Sequence, residues 1–128
     1  MAYYHSKTIE DAQFDAVIEK VTDALKDEGF GVLTDIDIKA TMKNKLDVDF
    51  RPYRILGACN PPYAYQALNA EDKIGTMLPC NVIVQQREEG IEVAAVDPVA
   101  SMQAIDNEDL GEIAGEIRDR LKKVIDSL

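Results

Sequence analysis

The sequence predicts an α+β domain of two layers, with about five mostly antiparallel strands in one sheet covered by two long helices and shorter ones. Three observations carry this expectation. Two long segments place apolar residues at helical spacing on one side only, and such stripes need a flat partner to be buried. Several short segments rich in β-branched residues have strand character. Helical and strand segments then alternate without a linker, a repeat or a low-complexity stretch, so residues 1–128 read as a single domain.

The first strand is "AYYHSK", short and aromatic. In "TIEDAQFDAVIEKVTDALKDEGFG", Phe14, Val17, Ile18, Val21 and Leu25 form one stripe of an amphipathic helix. Thr8 and Asp11 stand ahead of it at capping-box spacing, and Gly29 can take the left-handed conformation that ends it. Phe30, Val32, Thr34 and Ile36 alternate with Gly31, Leu33, Asp35 and Asp37 as a second strand. "DIKATMKNKL" makes about two helical turns, with Asp37 as cap and Ile38, Met42 and Leu46 inward.

"RPYRILGAC" is a third strand starting after Pro52. Asn60 followed by Pro61 and Pro62 is a good cap with proline in the first turn, so a short helix carrying Ala64, Ala67 and Leu68 begins there. "CNVIVQQR" and "IEVAAV" are two more strands joined by "EEG" as a tight hairpin, and Pro98 stops the last of them. Leu110, Ile113, Ala114, Ile117, Leu121, Val124, Ile125 and Leu128 then hold helical spacing to the end. Glu116 with Arg120 and Asp119 with Lys123 add i, i+4 pairs on the wet face.

Composition bounds the partners. The hydrophobic fraction is 46% and the net charge is −10, which describes a folded, acidic, globular chain. Such a surface repels phosphate backbones and anionic headgroups, so neither nucleic acid nor a membrane surface is an expected partner. No apolar run approaches the roughly 20 residues of a membrane span. "MAYYHSKTIEDAQ" has no basic start, apolar stretch and cleavage site in series, so a cytoplasmic location is expected, with thiols kept reduced.

Cys59 and Cys80 are the only cysteines, each beside proline-containing turns at a strand edge. Their spacing is not that of paired zinc ligands, and His5 is the only histidine. Two thiols and an imidazole can hold copper or zinc only if folding gathers them. A disulfide between the two would contribute roughly 3 kcal/mol in the chain-entropy account, but a reducing compartment opposes it. Nucleophilic catalysis needs His5 or an acid such as Asp97 beside one thiol. The plainest reading of both cysteines is a small buried hydrophobe. "TDID" and "DVDF" read as solvated turns, and no phosphate-loop, dinucleotide, zincin or nucleophile-elbow motif is present.

In "RPYRILGACNPPYAY", Arg51 and Arg54 near a helix start make a local positive spot suited to an anion, and Tyr53, Tyr63 and Tyr65 can wall a pocket. The alternative is paired arginines and packed tyrosines.

With "GFGVLTDIDI", "RILGACNPPYAYQAL", "IGTMLPCNVIVQ" and "VAAVDP" in that order, the chain resembles the family called domain of unknown function 302 over almost its full length. The resemblance implies an α+β fold, a dimer and no established activity. It points to Gly57, Asn60, Pro61, Ala64, Leu78, Pro79, Cys80, Asp97 and Pro98, without a catalytic role for any of them.

The function expected first is a cytosolic ligand- or partner-binding domain, homodimeric through an exposed sheet face or edge strand, with no cofactor and no metal. A small site is expected where the Asn60 helix start meets the "LPC" strand start, with Arg54, Cys59, Asn60, Tyr63, Cys80 and Asp97 as ligand-binding residues. The alternatives are a thiol enzyme or redox protein using Cys80, and a transition-metal carrier.

Overall fold

Two helices with one-sided apolar stripes and five strands with alternating residues leave one economical arrangement, and the chain adopts it. The computed structural model describes residues 2–128. Along it run β1 (Tyr4–Ile9), α1 (Phe14–Asp27), β2 (Gly31–Asp37), α2 (Ile38–Leu46), β3 (Tyr53–Cys59) and α3 (Pro61–Ala70). A 3-10 turn (Ile74–Met77), β4 (Cys80–Gln86), β5 (Ile91–Val96), α4 (Pro98–Ser101) and α5 (Glu108–Asp126) follow. The strands form one sheet in the order β1-β5-β4-β3-β2, and every neighbouring pair is antiparallel. The α+β expectation therefore holds.

Because partners across a sheet point to the same side, the register defines two faces. His5, Ala95, Val82 and Leu56 share one cross-strand row, and Lys7, Val93 and Val84 the next. The apolar members of these rows form the main core with Val17, Val21 and Leu25 of α1 and Ile117, Leu121, Val124 and Ile125 of α5. Both long helices thus cover this one face, and each fully buried aliphatic side chain there is worth about 1.5–3 kcal/mol.

The other face carries Ser6, Ala94, Ile83, Ile55 and Ile36 in one row and Thr8, Glu92, Gln85 and Tyr53 in another. Gln85 nevertheless lies in the protein interior: its Oε1 accepts from Arg51 Nε at 2.9 Å, and its Nε2 donates to Glu92 Oε1 at 2.8 Å.

Several local expectations need correction. Thr8 does not cap α1. It pairs with Glu92 inside β1, and the helix starts at Phe14 after Gln13, which makes no side-chain cap. Gly29 does end α1, at φ +86°, with its amide donating to the Lys26 carbonyl. Simple alternation in β2 fails because the register shifts between Val32 and Thr34. Leu33 is the additional residue of this bulge and stands 68% exposed.

Asp37 caps α2 as expected, accepting from the Ala40 amide at 2.9 Å. No residue of that helix is fully buried, however: Ile38 and Met42 are half-buried and Leu46 is exposed. Asp119 pairs with the adjacent Arg118 rather than with Lys123, whereas Arg120 and Glu116 form the expected i, i+4 pair at 3.1 Å. The two-residue hairpin at Glu88 and Glu89 is present, closed by Arg87 and Gly90.

The contrast between α1 and α2 is testable by denaturant unfolding. Leu25→Ala should cost about 2–5 kcal/mol, the range for emptying a buried aliphatic site. Leu46→Ala should stay within about 0.5 kcal/mol.

Candidate functional site

Ala58 of β3 faces Cys80 of β4, so Cys59 at the end of β3 and Cys80 at the start of β4 are diagonal neighbours across adjacent strands. Both thiols are free, and both residues line one cavity of about 340 Å³. The cavity is closed by α3 through Ala64, Ala67 and Leu68, by the Leu78–Pro79 segment, by Met102, and by Ile113 and Ile117 of α5. Phe30 and Leu33 complete it from the β2 side. Apart from the two cysteines, no ionisable side chain among the described residues forms part of this wall.

Local sequence explains the site's position. At Gly57 a side chain would collide with Thr34 Oγ1 and with Pro79, so glycine lets the Pro79 segment close over the strand end. Asn60 occupies the cap position of α3, but its side chain does not cap the helix. Its Nδ2 donates instead to the Glu28 carbonyl at the end of α1, at 3.4 Å. Arg120 Nη1 donates to the same carbonyl at 3.3 Å, and its guanidinium lies over the Tyr63 ring at 5.3 Å. One carbonyl thereby ties α1, the start of α3 and α5 together beside the cavity.

Of the expected site residues, Cys59, Asn60 and Cys80 come together on the wall, and Arg54, Tyr63 and Asp97 do not. Arg54 sits at the far end of β3, where Nε donates to Asp35 Oδ1 at 2.7 Å and Nη2 joins Oδ2. This pairing holds the Asp35 carboxyl below its ordinary range. The expected anion spot at the Asn60 helix start is therefore absent, since Arg54 lies six residues back along β3 from Asn60, roughly 20 Å. Arg51 is engaged by Gln85 and lies over the Phe50 and Tyr53 rings. Tyr63 supports Arg120, while Tyr65 faces solvent.

Asp97 caps α4, with Oδ1 accepting from the Val99 amide at 2.9 Å and the Ala100 amide at 3.3 Å. His5 is held by Asp126 of α5 at 2.8 Å, on the edge strand separated from β4 by β5. Neither partner proposed for a thiolate reaches Cys80.

Met102, Leu33 and the 3-10 turn that buries Ile74 were not anticipated as parts of a site. One signal was present. Asp97-Pro98 has the cap-then-proline form of Asn60-Pro61, and it starts the helix that delivers Met102.

Burial pushes the Cys80 thiol up to about 11, with a smaller contribution from Cys59 beside it, and burial also raises Cys59. The site thus favours neutral thiols, whereas a nucleophile needs thiolate. Among the described residues, no three His, Cys, Asp or Glu side chains gather as a metal site.

The sign of the resulting pH dependence follows from linkage. The folded pKa of Cys80 lies above its ordinary value of 9.0, so between pH 9 and about 11 the unfolded chain releases a proton that the folded chain keeps. The contribution is full below that interval and is lost as pH rises through it, by about 1.4 kcal/mol per pH unit. Denaturant midpoints should show wild type losing this stability relative to Cys80→Ala across the interval. A constant difference would contradict a buried, protonated thiol.

Residues 5–128 match the family model described as domain of unknown function DUF302. A search of curated proteins finds no match. Among solved structures, the chain is similar to an uncharacterized conserved protein DUF302 from Bacillus stearothermophilus, with TM-score 0.91 and 29% identity over 98% of each chain. Asn60, Ala64, Leu78, Pro79 and Cys80, all on the cavity wall, are among the positions on which the sequence resemblance rests. With its model matched from the first strand to the end of the last helix, the chain belongs to the DUF302 family.

Proposed function

We propose that this chain is a cytoplasmic small-molecule-binding domain that works as a homodimer, with the cavity at the β3–β4 strand ends as its binding site. One observation carries the reading: Cys59, Asn60 and Cys80 line a single, largely hydrocarbon cavity of about 340 Å³. That volume falls within the roughly 300–1,000 Å³ of ordinary ligand pockets, and a few polar atoms on an apolar lining is their usual composition. The raised thiols and the engagement of His5 and Asp97 elsewhere favour binding over thiol catalysis. Adjacent free thiols fit the reducing compartment.

The homodimer reading is supported by the sheet face that the long helices leave uncovered. A groove of about 440 Å³ runs along it, lined by Tyr3, Tyr4, Tyr53, Ile83, Ala94 and Val96 among others. A second copy laid on this face would bury the Ala94–Ile83–Ile55 row. The net charge of −10 on each copy opposes the approach, so salt should assist it.

Two experiments test these readings. Xenon applied under pressure to crystals should occupy the cavity, as it does other dry apolar cavities, and Ala64→Phe should exclude it without unfolding the chain. Xenon sites confined to other places would contradict the assignment. Light scattering should return about twice the 14.2 kDa chain mass, with Ile83→Asp returning the single-chain mass. A wild-type monomer at micromolar concentration and physiological salt would refute the dimer.

A further inference from the structure

Asn60 is 6% exposed and, among the described residues, supplies the only side-chain oxygen on the cavity wall. Its orientation is fixed by chemistry. The Glu28 carbonyl can only accept, so the amide nitrogen must face it, which leaves Oδ1 on the other side. An oxygen at a helix cap usually accepts from the first-turn amides. Here the first two helical residues are Pro61 and Pro62, which have no N–H to give, and the amide of the third, Tyr63, makes no bond to the Asn60 side chain. Oδ1 therefore has no hydrogen-bond donor among the described residues. No side-chain oxygen or nitrogen sealed from solvent lacks a partner among the described residues, so Oδ1 keeps contact with open space, and the cavity that Asn60 lines is a space from which a donor can reach it.

The rest of the wall limits what else the donor carries. No lysine, arginine or histidine lines the cavity, and the chain as a whole is acidic, so a carboxylate or phosphate entering it would lose its water without a partner. No aspartate or glutamate lines it either, so an ammonium group fares no better. Hydrocarbon and sulfur make up the remaining surface. Leu33 and Leu68, which are on the wall and yet largely exposed, give the mouth an apolar rim.

We infer that the ligand is an uncharged, compact, mostly hydrocarbon molecule that donates one hydrogen bond, from O–H or N–H, to Asn60 Oδ1. This rests on the cavity being the binding site and adds the chemical class of what binds there.

Three probes of similar size separate the two claims: phenol, which donates; anisole, its methyl ether, which does not; and benzoate, which is charged. Each is titrated into isotope-labelled wild-type chain, with affinity read from the chemical shifts of cavity-wall residues. Phenol should bind on the order of threefold to tenfold more tightly than anisole, the worth of one neutral hydrogen bond, and benzoate should not saturate. Asn60→Leu should bring phenol and anisole to equal affinity. If that variant does not fold, the wild-type comparison alone decides. Anisole binding as tightly as phenol would overturn the donor inference and leave the cavity reading intact. Benzoate matching phenol would overturn the neutral-ligand inference. Failure of both phenol and anisole to bind would overturn the cavity reading as well.

Discussion

Ala58 opposite Cys80, and Leu56 opposite Val82, set the register on which this molecule depends. Side chains alternate with a period of two along a strand, so a slip of one residue would turn Val82 and Val84 out of the core and Ile83 into it. The same register puts the first residue of β4, Cys80, opposite Ala58 and so diagonal to Cys59, the last residue of β3. Everything that closes the cavity is positioned from there. Gly57 admits Pro79, Asn60 starts α3 and clips it to the end of α1, and α5 crosses above with Ile113 and Ile117.

What could be read beforehand divides along physical lines. The stripes of α1 and α5 were legible because burial on one side leaves a strong period, and the structure buries Val17, Val21 and Leu25 in the one and Leu110, Ala114, Ile117, Leu121, Val124 and Ile125 in the other. Local hydrogen-bond choices were not legible. Thr8 fits a capping box as well as a strand, and pairing with β5 decides the matter in favour of the strand. Asn60 has the right residue type for a helix cap, but a carbonyl 32 positions earlier in the chain holds its amide. Strand order, the bulge at Leu33 and the uptake of Met102 into the wall are consequences of long-range packing that no local pattern encodes.

At the cavity, the meeting of the two cysteines and Asn60 was legible from turn chemistry, because proline-flanked strand ends are where a chain pauses near a helix start. Arg54, Tyr63 and Asp97 lie away from the cavity for a shared reason. Each fits a ligand site by residue type, but each is occupied by a structural partner: Asp35, the Arg120 guanidinium and the α4 amides respectively. Residue type states what a group can bind; only the fold states whether it is free to do so. The cavity remains as the place where chemical capacity is left over, while the uncovered sheet face presents surface rather than chemistry.

The account stands on ligand density of contact lying between the strand ends, α3 and α5, and not in the groove on the opposite face. Intermolecular nuclear Overhauser effects from bound phenol to methyl groups read this location directly. Cross-peaks to Leu68, Met102 and Ile117 together are the expected result, since these side chains approach one cavity from three elements or loops. Cross-peaks to Ile83 and Val96, with none to those three, would move binding to the other side of the sheet and contradict the account.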